Sequence, residues 1–82
     1  MNKPIEEIAK ERWNCSEELN INELLNFVKS NFDNKQVEVI MLYSEGVQVK
    51  DIIKECHIAE SRIRNLIINV IDKYYKLRLN KA

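Results

Sequence analysis

Residues 49–68 read Val-Lys-Asp-Ile-Ile-Lys-Glu-Cys-His-Ile-Ala-Glu-Ser-Arg-Ile-Arg-Asn-Leu-Ile-Ile. Two helical patterns meet inside this stretch. The first places apolar side chains at Val49, Ile52, Ile53 and Cys56. The second runs longer, through Ile63, Leu66, Ile67, Val70, Ile71 and Tyr74, with the same three-and-four spacing of one helix face. Only His57, Ile58 and Ala59 stand between them. So short a connection makes the two helices cross steeply, with Ile58 plugging the corner. Such a pair is a helix-turn-helix, whose second helix can lie in a DNA major groove.

Upstream, Asp33 is placed to cap a helix, and Gln36 stands three residues on, as in a capping box. That helix carries two adjacent apolar stripes. One is Val37, Ile40, Met41 and Ser44; the other is Val39, Leu42 and Tyr43. So wide an apolar surface predicts the central, most buried helix of the fold. Gly46 suits the left-handed position just past its end. Earlier still, Ile21, Leu24, Leu25, Val28 and Phe32 predict a helix over residues 21–31, capped by Asn20 or Asn22. Ile5, Ile8, Ala9 and Trp13 predict another, opening after Pro4, with Glu6 and Glu7 at the positive end of its dipole. Cys15 to Asn20 reads as a connector in which Ser16 is a candidate cap and Glu17-Glu18-Leu19 a turn of helix. The last helix is expected from Glu60 to about Leu77, with frayed ends at Met1–Lys3 and Leu79–Ala82.

The chain has 82 residues, enough for one small domain with one modest core. Gly46 and Pro4 are its only glycine and proline, too few turn residues for a sheet protein. The expected class is all-α: about four to five helices in a single domain spanning residues 1–82. Residues 1–32 supply acidic N-terminal helices that pack on a helix-turn-helix unit at 33–79. No apolar run approaches the length of a membrane span and no signal peptide is present, so the expected location is cytoplasmic, with no membrane partner. Abundant Lys, Asn and Ile suit the coding bias of an AT-rich bacterial or phage genome. Cys15 and Cys56 with a single histidine make no zinc-type cluster, and Cys56 reads as a small core residue. No phosphate-cradling glycine loop and no nucleophile–base set is visible, so neither an enzyme nor a cofactor or metal site is expected.

The formal net charge is zero, but its distribution is uneven. Residues 1–46 carry five basic and nine acidic side chains; residues 47–82 carry eight basic and four acidic. The positive end therefore coincides with the helix-turn-helix half, as phosphate binding requires.

From Asp33 to Leu77 the chain resembles region 4 of bacterial sigma factors and, more loosely, the LuxR-type helix-turn-helix. The residues that carry the resemblance are the Val37-x-Val39-Ile40-x-Leu42 helix, Glu45-Gly46 before a short gap, and Lys50-Asp51-Ile52-Ile53 opening the next helix. The Cys56-x-Ile58 corner, Ile63 and Leu66, and the basic run to Lys76-Leu77 complete it. Spacing agrees throughout. Departures are Ile53 and His57, where the family has Ala and Gly, Ala59, where it has a small hydroxyl residue, and Arg62, where it has Thr. His57 is thereby expected in a left-handed turn. With no region 2 among these residues, a complete sigma factor is not expected.

In this frame the outward residues Glu60, Ser61, Arg62, Arg64 and Asn65, with Ile68 further along, face DNA. Arg can grip guanine bidentately and Asn adenine. Lys50, Lys54, Lys73 and Lys76 suit phosphates. Val70, Ile71, Tyr74 and Leu77 extend the apolar stripe past what three helices cover, so either the N-terminal helices or a second copy of the chain must bury them. Two functions lead the expectations, ahead of a structural oligomerisation domain with neither DNA nor a polymerase partner. One is a small DNA-binding transcription regulator that reads double-stranded DNA from Glu60 onward, with homodimerisation through the extended stripe. The other is a sigma-like adaptor or inhibitor that binds RNA polymerase or another regulatory protein instead of DNA.

Overall fold

The computed structural model describes residues 3–14 and 19–80. They form five helices: α1 (Ile5–Trp13), α2 (Ile21–Asn31), α3 (Asn34–Ser44), α4 (Val49–Cys56) and α5 (Glu60–Asn80). The architecture is all-α, and no strand occurs among the described residues. The expected Ser16 cap, the start of the turn at Glu17-Glu18 and the outermost terminal residues lie outside the described residues.

Local chemistry sets the helix boundaries. Asn20 accepts the Glu23 N–H at 3.2 Å and starts α2. Asp33 accepts the Gln36 N–H at 2.8 Å, while the Gln36 side chain accepts the Asp33 N–H at 3.3 Å, so the capping box at α3 is reciprocal. The α3 C-terminus closes as a Schellman motif. Gly46 sits at φ 93 and its N–H donates to the Tyr43 carbonyl; the Val47 N–H donates to the Leu42 carbonyl. Glycine tolerates that φ because it has no Cβ to meet the backbone. His57 ends α4 in the left-handed region, φ 52 and ψ 48, with its N–H donating to the Ile53 carbonyl. Ala59 then precedes α5 without any side-chain oxygen to cap it.

The core contains Leu24, Val28, Val39, Ile40, Ile52, Ile63, Val70 and Ile71, all almost fully enclosed. Each such side chain contributes roughly 1.5–3 kcal/mol of burial. The centre of this core is α5, not α3. From α5 come Ile63, Leu66, Ile67, Val70, Ile71, Tyr74 and Tyr75; from α3 come only Val39, Ile40 and Tyr43, while Val37, Met41 and Leu42 stay half-buried. The reason is length: α5 runs 21 residues and packs on each of the other four helices, whereas α3 packs mainly on α2, α4 and α5. Ile53 and Ile58 lie partly buried against the core, Ile58 at the α4–α5 corner.

The N-terminal helices cover the second half of α5. Asp72 accepts two hydrogen bonds from the Arg12 guanidinium, at 3.1 and 2.8 Å, and one from Trp13 Nε1 at 2.9 Å. Trp13 stacks on Tyr75 with ring centroids 5.5 Å apart. Phe27 of α2 meets Tyr74 edge-on at 5.7 Å, and the Tyr74 hydroxyl reaches Glu23 at 3.2 Å. The start of the chain is pinned as well: the Tyr43 hydroxyl donates to the Lys3 carbonyl, and Lys3 pairs with Glu11 at 2.9 Å. Lys3 is therefore held, not frayed, and α5 remains helical to Asn80 instead of stopping near Leu77.

Candidate nucleic-acid interface

Of the two ways to bury the extended stripe, the fold uses the intramolecular one. Val70, Ile71 and Tyr74 are enclosed by the chain's own helices, so they offer no surface to a second copy. Leu77 alone of that set stays open, at 47% exposure. The apolar period showed that these positions needed cover; it carried no information about which segment supplies it.

At the other end of α5 the outward face is uncovered. Ser61, Arg62, Arg64 and Asn65 are exposed on its first two turns, and α4 presents Lys50 and Lys54 to solvent. Successive residues advance about 100° around a helix, so Arg62 and Arg64 sit about 160° apart and flank the outward face on opposite sides.

On one flank a groove of about 480 Å³ opens between the start of α3, the α4–α5 turn and α5. Arg62, Asn65, Leu66 and Asn69 line it from α5, Lys35 and Val39 from α3, and His57 and Ile58 from the α4–α5 turn. On the other flank a groove of about 400 Å³ is lined by Lys3, Ile8, Tyr43, Val49, Arg64, Ile67 and Ile68. Ile68 is half-buried there, so it faces this groove more than open solvent. Arg64 also lies near Tyr43, whose hydroxyl pKa is raised chiefly by burial and partly lowered again by the arginine charge.

The two arginines differ in what holds them. Arg64 is bridged to Glu60 one turn back at 2.9 Å, an exposed pair. Bridges of this kind are worth roughly 0.3–0.5 kcal/mol, a small barrier to re-aiming the side chain. Arg62 makes no ion pair among the described residues. Lys73 does not join this set. It lies about 20 Å along the axis from Glu60 at 1.5 Å per residue, with its ammonium 5.3 Å over the Phe32 ring.

The charge of the second half of the sequence divides the same way. Residues 47–69 hold four basic and three acidic side chains; residues 70–82 hold four basic and one acidic. The excess thus lies mostly beyond the first half of α5. Lys35 and Asn69 were not marked by sequence reasoning, since no local pattern reveals that the α3 start approaches α5. For His57 the sequence allows a turn residue, a phosphate contact or a pH-sensitive group, and favours the first.

Among the described residues, no group of three His, Cys, Asp or Glu side chains is placed to hold a metal ion, and no helix is long and apolar enough to cross a membrane. No family model matches the chain, and neither a curated protein nor a solved structure matches it.

Proposed function

We propose that this domain binds double-stranded DNA and regulates transcription, with the first half of α5 entering the major groove. One observation carries the reading: α1 and α2 occupy the second half of α5 and leave Ser61, Arg62, Arg64 and Asn65 exposed on the first. A helix buried on its remaining faces and bare at its outward N-terminal turns is what groove reading requires. Lys50 and Lys54 on α4 then supply phosphate contacts, which position the domain without specifying sequence.

The test is selection of bound duplexes from a random pool, followed by binding across a salt series with Arg64→Ala as comparison. A sequence-reading regulator enriches a motif, and Arg64→Ala relaxes preference at one base pair by roughly 1–3 kcal/mol. Weak binding without enrichment, equal in the variant, refutes the reading.

A second reading has its own observation. Residues 47–69 exceed neutrality by a single basic side chain, and the Arg64 flank is floored by Ile8, Val49, Ile67 and Ile68. An adaptor that grips RNA polymerase or another regulator through that apolar flank fits those facts. It predicts loss of the protein complex, with DNA binding absent throughout, on Ile68→Asp.

A further inference from the structure

Lys35 occupies an unusual place. It is the second residue of α3, at the positive end of that helix's dipole, where a cation is disfavoured. No carboxylate pairs with it among the described residues. It contributes nothing evident to the fold, yet it shares a groove with Arg62 and His57, and Asn65 and Asn69 add amide donors. Asp33, the carboxylate lining that groove, has an oxygen committed to the Gln36 N–H at 2.8 Å.

A helix seated in a major groove about 12 Å wide has a sugar-phosphate strand running along each side. The Lys35 groove lies along one side of α5 and shares Arg62 and Asn65 with the outward face. We propose that this groove seats the DNA backbone on that side, with Lys35 and Arg62 as its phosphate contacts and α3 thereby part of the interface. The proposal rests on the DNA-binding reading above, and adds Lys35 of α3, which the helix-turn-helix pair alone does not supply.

The experiment measures binding of the full chain to random duplex DNA as a function of salt, for wild type, Lys35→Ala, Arg62→Ala, the double variant, Lys35→Arg and the control Lys10→Ala. Each lost phosphate contact removes about 0.9 from the slope of log K against log salt concentration. Lys35→Ala is expected to lower the slope by about 0.9 and the double variant by about 1.8, with Lys35→Arg restoring it and Lys10→Ala leaving it unchanged. The melting temperature of Lys35→Ala should not fall, because the change removes a cation from a helix N-terminus. A wild-type slope in Lys35→Ala, with Arg64→Ala still relaxing sequence preference, overturns this proposal and leaves DNA binding standing. Absence of DNA binding by the wild type overturns both. Tight capture of poly-glutamate by the wild type, lost in Lys35→Ala and with no binding of duplex DNA, reassigns the groove to an acidic polypeptide.

Discussion

Asp72→Ala should release α1 from α5. Asp72 receives the Arg12 guanidinium through two bonds and Trp13 Nε1 through a third, joining α5 to residues 60 and 59 positions away in sequence on α1. Hydrogen bonds to charged groups contribute about 1.5–3 kcal/mol when well shielded. The Asp72 side chain keeps 29% of its surface, so the Trp13 bond falls nearer about 1 kcal/mol after screening. The Arg12 pair is solvent-exposed and adds only a screened remainder. In a domain this small, about 1 kcal/mol moves the melting temperature by roughly 4–8 °C. Trp13 is the only tryptophan, so its emission reports directly on this contact. The variant should melt earlier, with a red-shifted emission at temperatures where helicity persists. Asp72→Asn keeps an acceptor for Trp13 and should lose less.

The acid limb gives an independent check of the same contact. The Asp72 carboxyl is held below its ordinary value, first by the Arg12 hydrogen bonds and then by that from Trp13. A depressed folded-state pKa gives stability that is present above the unfolded value near 3.9 and lost as pH falls through the folded one. The gap between wild type and Asp72→Asn should therefore be widest near neutrality and close below about pH 4. Asp72→Ala that melts with the wild type and leaves Trp13 emission unchanged refutes the clamp.

His57→Gly should stabilise the domain. A left-handed non-glycine residue costs about 1–2 kcal/mol, the greater unfolded-state freedom of glycine offsets about 0.5–1, and the net gain should appear as a rise of a few degrees in a thermal melt. In a Cys15→Ser background, Cys56 should resist thiol reagents at neutral pH until the chain unfolds. It is 6% exposed, and burial, with Glu38 and Glu55 nearby, pushes its thiol pKa up. Fast labelling of the folded protein, at a rate independent of denaturant, would contradict that burial.

Much of this fold is legible from spacing and caps. Asn20, Asp33 with Gln36, Gly46 and His57 each act within four residues of themselves, so their chemistry can be read along the chain. The boundaries of α2 and α4 follow from them. What depends on helices meeting is not legible in the same way. The apolar breadth of α3 suggested a central helix, yet the greater length of α5 gave it more neighbours to bury against. Val70, Ile71 and Tyr74 announced a need for cover, and only the positions of Arg12, Trp13, Glu23 and Phe27 show who provides it. The candidate site divides likewise. The exposure of Ser61, Arg62, Arg64 and Asn65 around the buried Ile63 is a matter of helical period, and so is the opposition of Arg62 to Arg64. The Glu60–Arg64 bridge was also there to be read as a four-residue spacing. The approach of Lys35 to Arg62 was not, because it depends on how α3 crosses α5.

The unbroken run of α5 sets a mechanical condition on whatever this domain joins together. At 1.5 Å per residue its 21 residues make a rod of about 32 Å. One end carries Ser61, Arg62 and Asn65, and the other carries the seats of α1 and α2. No hinge interrupts it, so a body grasping α2 stays at a fixed distance and a fixed azimuth from anything the first turns touch. The helix serves as a gauge as well as a contact: two ligands held at its ends are indexed to each other, and inserting one residue midway would rotate one against the other by about 100°.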